Sequence, residues 1–391
     1  MLDFNFFITV TLLTPIIINI FILFVLLFGF VVKGKVLLSS DKVKKITILL
    51  PTYNDRHGVI DALDSIEMQV CTHNINVIVI DDGSNDGSGI IIDDWLAKNN
   101  RKYSYSVVHL DVNSGMKGKA IKYGLDKISL QCDTIAIMDG DTVLDPCAVQ
   151  NCIGKLYSDD RFAAVCGMIL PKSNGVHNIV SRLQACELIG AFHAMRLAQS
   201  NIDSASCLSG AFTMFRFDAV QEVGWFDEWL VEDICWTWKA KAQGWRLGFS
   251  EKSYVFTECP DSIEKLWKQR RRWSRGRMEA FKVALSIDRK AALYVSPWLI
   301  YSITQILSLP LLIIAAFFSP ILSIFLLSIF FMIHLVYARV NIRGIGELSG
   351  GISAIESALW SSIFIDLFLL VPNVRGMMDE VLGRDKSWLT R

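Results

Sequence analysis

The stretch "NVIVIDDGSNDGS", residues 76–88, carries four consecutive apolar residues into two adjacent aspartates and then into glycine and serine. A β-branched run that is apolar at every position, rather than at alternate ones, suits a strand covered on both faces, as in a parallel sheet. The glycines and serines let the backbone turn sharply, which leaves Asp81 and Asp82 at the carboxyl end of that strand. Similar runs stand at 46–50 ("ITILL"), 106–110 ("SVVHL"), 134–138 ("TIAIM") and 163–170 ("AAVCGMIL"), separated by longer mixed segments. The expected fold is α/β with a parallel or mixed sheet. Polar clusters follow three of the runs: "PTYND", "DDGSNDGS" and "DGD". Open α/β sheets bind ligands beyond the carboxyl ends of their strands, so these clusters are expected to converge on one crevice.

The 391 residues are 52% hydrophobic and 20% charged with net charge +0. With no excess basic field to displace phosphate counterions, nucleic acid is excluded as a partner. The nine cysteines form no Cys-x-x-Cys pair, which suits reduced thiols in a cytoplasmic domain. Hydrophobicity is concentrated at the two ends. Residues 4–32 carry no charge and are followed by Lys33, Lys35, Lys42, Lys44 and Lys45. This run exceeds the ~7–15 apolar residues of a cleavable signal peptide, and reads as a signal anchor across a lipid bilayer with its C-terminal end in the cytoplasm. Further apolar stretches cover 293–318, 321–336 and 352–371. Arg339 and Arg343 suggest a cytoplasmic loop between the last two, yet three crossings would then put the basic tail (Arg375, Arg384, Lys386, Arg391) outside. The third stretch, interrupted by Glu356 and Asp366, is therefore expected to be interfacial or re-entrant.

Five motifs carry candidate chemistry. Asp81 or Asp82 can hydrogen-bond a nucleotide base or ribose, although an Asx-rich turn alone explains the same residues. In "MDGDTV", Asp139 and Asp141 sit two residues apart, so on an extended segment both carboxylates face one pocket and can hold Mg²⁺ or Mn²⁺ on a diphosphate. "SGMKGKA" places Lys117 and Lys119 at the start of a helix expected to run to Ile128, where phosphate is attracted. "VEDICWTWKAKAQGW" reads as a helix opened by Glu232 and Asp233 and closed by Gly244. Its Trp229, Trp236 and Trp238 exceed what a solvated helix needs and suit stacking on sugar rings, with a carboxylate beside them to take a hydroxyl proton. In "QRRRW", Gln269, Arg272 and Trp273 share one helix face, leaving Arg270 and Arg271 to point elsewhere as positive-inside anchors.

Taken in order, "PTYND", "DDGSND", "KGKA", "DGDT", "VED" and "QRRRW" resemble the membrane-integrated family 2 glycosyltransferases: the cellulose, hyaluronan, chito-oligosaccharide and poly-N-acetylglucosamine synthases. The resemblance implies a Rossmann-like GT-A domain in the cytoplasm over 36–277, a transmembrane helix in 1–35, and interfacial and transmembrane helices with a short tail over 278–391. It implies a UDP-sugar donor held by Pro51, Thr52, Tyr53, Asp81 or Asp82, Lys119, Asp139, Gln269, Arg272 and Trp273. The metal falls to Asp141 with Asp139, and the general base to Asp233. The acceptor, a growing polysaccharide, falls to Ser209, Gly210, Glu232 and Trp273. "MRLAQSN", "SGAFTMFR", "VEDICWTWK" and "LWKQRRRW" look most like the poly-β-1,6-N-acetylglucosamine synthases of biofilm-forming bacteria. That implies an inverting, metal-dependent polymerase of UDP-N-acetylglucosamine in the inner or plasma membrane. The alternatives are a hyaluronan or chito-oligosaccharide synthase, or single-sugar transfer to a polyprenyl phosphate. The chain departs from the pattern in Val231, usually threonine, in Gly140 inside the Asp-x-Asp, and in having one N-terminal spanning helix where that subfamily tends to have two. This leaves a place for a small membrane partner subunit.

Overall fold

The computed structural model describes residues 2–31, 45–98, 100–126, 132–172 and 175–386. Lys33, Lys35, Lys42 and Lys44, the helix end expected at Ile128, and Arg391 lie outside the described residues. In chain order the first elements are α1 (Leu2–Val31), β1 (Lys45–Thr52), α2 (Gly58–Glu67), β2 (Asn74–Asp81), α3 (Ser88–Leu96), β3 (Ser104–His109), α4 (Lys117–Asp126), β4 (Thr134–Met138), β5 (Val143–Leu144) and α5 (Ala148–Leu156). They are followed by β6 (Phe162–Pro171), α6 (Ile179–Glu187), α7 (His193–Asn201), β7 (Phe212–Arg216), α8 (Phe217–Val223), α9 (Glu232–Ala242) and β8 (Arg246–Thr257). The helical remainder is α10 (Ile263–Ile287), α11 (Arg289–Ala316), α12 (Pro320–Ile345), α13 (Ala354–Leu359), α14 (Ile365–Phe368) and α15 (Leu370–Val381).

The eight strands form one sheet in the order β3-β2-β1-β4-β7-β6-β8-β5. β3, β2, β1 and β4 are parallel, as their unbroken apolar runs require. Alternate residues feed two cores. Leu49, Ile78, Ile80, Ile135 and Ile137 face one side, whereas Ile46, Ile48, Leu50, Val77, Val79 and Met138 face the other. The run at 163–170 belongs to β6 but does not lie beside β4. The antiparallel β7, "FTMFR", stands between them, so the sheet is mixed. β1 is flanked by β2 and β4, which makes its carboxyl end the switch point where the three polar clusters meet.

Among the described residues, three helices are long and apolar enough to cross a membrane: Asn5–Phe30, Val295–Ala316 and Pro320–Ser349. They pack together through Leu13, Ile16 and Leu23 of α1 against Leu309 and Leu312 of α11 and Phe330 and Tyr337 of α12. The stretch at 352–371 forms no continuous span. It breaks into α13, a π-turn at Trp360–Phe364, α14 and α15. Charges within it and just beyond it tie this region down. Glu356 pairs with Arg182 of α6 at 2.6 Å, while Asp379 and Glu380 of α15 hold Arg271 and Arg275 of α10 at 2.5 and 3.0 Å. The segment is thereby fastened to α6 and α10.

Candidate active site

One cavity of about 960 Å³ opens at the carboxyl ends of β1 and β4 and runs down between α10, α11 and α12. Pro51 and Thr52 end β1 at its rim, with Tyr53 beside them. Asp139 and Asp141 follow β4, the neighbouring strand, and border the same cavity. They do not lie on an extended segment as the sequence suggested: β4 stops at Met138, and the Thr142 N–H donates to the Asp139 carbonyl at 3.1 Å, closing a turn. The turn still brings both carboxylates to the cavity. Gly140 makes this approach possible, because a Cβ there would lie 3.0 Å from Thr52 Oγ1 and 3.4 Å from the Pro51 carbonyl.

The two aspartates after β2 separate cleanly. Asp82 borders the cavity and accepts hydrogen bonds from the Ser114 N–H (2.9 Å), the Ser114 hydroxyl (2.8 Å) and the Asn113 amide (3.1 Å). Burial raises its carboxyl above the ordinary range, against the lowering effect of the Ser114 bonds. Asp81 does not reach the cavity. Its carboxylate accepts from the Ser84 N–H and meets the His109 ring at 2.8 Å, so it shapes the loop. Lys119 borders the cavity with its ammonium on Glu228 at 2.9 Å. Lys117 goes deeper: it lies 2.6 Å from Asp139, 3.2 Å from Glu232, and donates to the Gly210 carbonyl at 2.8 Å.

Glu232 and Asp233 open α9, where the helix dipole favours acids. Asp233 accepts from the Gly210 N–H at 2.8 Å with one oxygen and from the Ile234 N–H at 2.7 Å with the other. Burial, and next the Glu232 charge, push its carboxyl up to about 6, with Lys117 pulling the other way. Ser209 and Gly210 line the same wall. Of the three tryptophans expected to face sugar, Trp238 alone borders the cavity. Trp236 is fully buried with its Nε1–H on the Gly224 carbonyl, and Trp229 packs into the core, because the apolar faces of α8 and α9 close over the sheet there.

From α10, Gln269, Arg272 and Trp273 reach the cavity together. Arg270 does too, contrary to the expectation that it anchors the membrane. It forms a two-pronged pair with Glu187 and stacks on the Trp273 ring at 4.5 Å. Arg271 pairs with Asp379. The intramolecular carboxylates of α6 and α15 thus claim both arginines. Towards the apolar helices the cavity is lined by Arg196, Arg277, Tyr301, Gln305 and Asp366, which sequence reasoning missed. Arg277 follows Trp273 by four residues, so continuing the Gln269–Trp273 helix face would have found it. Arg196 and Arg277 have no carboxylate partner among the described residues, and burial beside Arg270 lowers Arg277 to about 10.

Residues 134–338, just over half of the chain, match the family described as glycosyl transferase family group 2. The poly-beta-1,6-N-acetyl-D-glucosamine synthases of Staphylococcus aureus and Staphylococcus epidermidis are each 28% identical over 61% of this chain. The chain spans 56% of the length of these relatives. The mannosyltransferase PcManGT from Pyrobaculum calidifontis, solved in complex with GDP-Man and Mn²⁺, superposes with a TM-score of 0.66 over 97% of this chain and 99% of that one, at 14% identity. The mixed sheet with its carboxyl-end cavity is thus the GT-A arrangement, and the chain belongs to glycosyl transferase family group 2.

Proposed function

We propose that this glycosyltransferase is a membrane-integrated, inverting enzyme that takes N-acetylglucosamine from UDP and extends a poly-β-1,6-N-acetylglucosamine-type polysaccharide, with the catalytic domain in the cytoplasm. The observation that carries the reading is the position of Asp233. Its carboxyl, raised to about 6, faces one cavity with Asp139 and Asp141 on one wall and Arg272 and Trp273 on another. Two backbone N–H groups fix both its oxygens, so it can accept a proton from an acceptor hydroxyl at a set angle. Attack from that side, with Arg272 steadying the departing diphosphate, inverts the anomeric centre. Trp273 offers the acceptor sugar a flat apolar floor, and the cavity's continuation towards α11 and α12 gives the product a way onward. The name of the staphylococcal relatives supports the sugar and the linkage.

Asp139 and Asp141 present hard oxygen donors on one turn, and among the described residues no group of three or more His, Cys, Asp or Glu side chains is arranged to hold a metal. Two carboxylates suit Mg²⁺ or Mn²⁺, which commonly draw their remaining ligands from substrate phosphates and water. When bound, the ion would neutralise charge on the diphosphate. Arg196 and Arg277 at the membrane end favour a second reading, transfer of one sugar to a polyprenyl phosphate, because guanidinium groups recognise phosphate. The test is to incubate purified membranes with a panel of UDP-sugars, measure UDP release with and without EDTA, and analyse the product. UDP-N-acetylglucosamine turnover, loss with EDTA and a β-1,6-linked polymer are expected. A product extracted into organic solvent would replace the polymer by the second reading, and another linkage would point to hyaluronan or chito-oligosaccharide chemistry.

A further inference from the structure

Lys117 is the first residue of α4 and lines the cavity. Three oxygens surround its ammonium: Asp139 Oδ1 at 2.6 Å, Glu232 Oε1 at 3.2 Å and the Gly210 carbonyl, to which it donates, at 2.8 Å. Gly210 also gives its N–H, on the preceding peptide group, to Asp233. One lysine therefore joins the carboxylate expected to bind metal, Glu232 of α9 and the residue, Gly210, whose N–H orients the base. Its backbone is held in place as well, since a Cβ on the following Gly118 would lie 2.8 Å from the Asp227 carbonyl. The side chain keeps only a tenth of its surface exposed.

We infer that Lys117 is a positioning residue: in the donor-free site its ammonium occupies the Asp139 carboxylate, so that a divalent cation gains that ligand only together with the nucleotide diphosphate. This rests on the nucleotide-sugar reading above. A dication on Asp139 would stand beside a fixed positive charge, and inside a protein such repulsion is weakly screened. The diphosphate brings the negative charge that offsets both cations. When Asp139 turns to the metal, Glu232 and the Gly210 carbonyl still hold the ammonium, so Asp233 keeps its orientation while the ligand exchange occurs. Metal and donor would then enter as one unit, and a metal-loaded but donor-free site would be rare.

The test is a Mn²⁺ titration of the full-length protein in nanodiscs, followed by electron paramagnetic resonance, with UDP binding measured on the same samples. Wild type should bind Mn²⁺ at least about tenfold more tightly with UDP than without it, whereas Lys117→Met should bind nucleotide-free Mn²⁺ at least about tenfold more tightly than wild type. Lys117→Arg, which keeps the charge, should behave like wild type. Nucleotide-free Mn²⁺ affinity that is unchanged or weaker in Lys117→Met overturns the inference, since a merely structural lysine would give that result. Should the methionine variant not fold, wild-type Mn²⁺ affinity that ignores UDP overturns it. If wild type binds no UDP at all, the donor reading fails, while the nucleotide-free comparison still decides the role of Lys117.

Discussion

Asp233 gathers the conditions for a base. Two N–H donors hold its carboxylate, burial lifts it to about 6, and an open side faces the cavity. Asp233→Asn should abolish sugar transfer while UDP binding, followed by calorimetry, stays within about threefold of wild type, because the amide keeps the shape and loses the proton acceptor. Wild-type turnover should fall about tenfold per unit as pH drops below about 6, since the protonated carboxyl cannot act as base. The stability contribution has the opposite sign. A carboxyl raised on folding stabilises the fold below its unfolded pKa, and that contribution is lost as pH rises through about 6. At this scale the sequence was readable where a residue type and its position leave one use, as with the acids opening α9. It was not readable where burial decides. Asp81 and Asp82 look equivalent in "DDG", yet only Asp82 borders the cavity. Arg270 looked like an anchor because its partner, Glu187, is 83 residues away. Replacing it with alanine should strand Glu187 in a largely buried site and destabilise the protein by about 3 kcal/mol. Comparing thermal unfolding of Arg270→Ala with that of the Glu187→Gln, Arg270→Met pair would check this, with the pair expected to recover much of the loss.

Among the elements, α10 does most to shape the site, and small residues set how closely it packs. A Cβ on Gly276 would lie 2.2 Å from Val231 Cγ2, and one on Gly376 would lie 2.2 Å from the Arg271 carbonyl. The first contact presses α10 onto the residue before Glu232, and the second presses α15 onto α10. Val231, the departure from the family's usual threonine, is therefore the apolar surface that Gly276 receives. Gly376→Ala should push α15 away, weaken the pairs of Asp379 and Glu380 with Arg271 and Arg275, and lower stability by about 1–3 kcal/mol, as overpacking generally does. Unfolding monitored by circular dichroism in detergent would show it. An unchanged midpoint would mean that α15 yields without cost. The helix itself was visible in "QRRRW" because i, i+3 and i+4 spacing is local. The antiparallel β7 was not, since "FTMFR" carries no pattern that separates it from a helix start, and its place is fixed by β4 and β6 on either side.

For the whole molecule, the conflict between charge and crossing number disappears once the last apolar stretch is removed from the count. In the multi-pass arrangement proposed above, α1 would enter with its C-terminal end towards the catalytic domain, α11 would leave and α12 would return, bringing Arg339 and Arg343 back to the basic side. The tail that carries Arg375, Arg384 and Lys386 then stays on that side, where Arg384 pairs with Asp379 and Lys386 with Glu279 of α10. Hydropathy alone overcounts because α13 to α15 expose apolar side chains such as Ile355, Val371 and Val381, while Glu356, Asp379 and Glu380 bind α6 and α10. A segment so divided belongs at the interface. The turn between α11 and α12 should therefore be the exposed outer tip, and Phe317, with 85% of its surface open, marks it. In intact cells a membrane-impermeant maleimide should label Phe317→Cys and leave Asp385→Cys unlabelled until the membrane is permeabilised. Wild type controls for the native thiols, of which Cys147 is the exposed one. Labelling of Asp385→Cys in intact cells would instead carry the chain through a fourth crossing and detach α15 from α10. That outcome contradicts the ion pairs of Arg271 and Arg275, so the labelling pattern tests the topology and the packing of the active-site helix together.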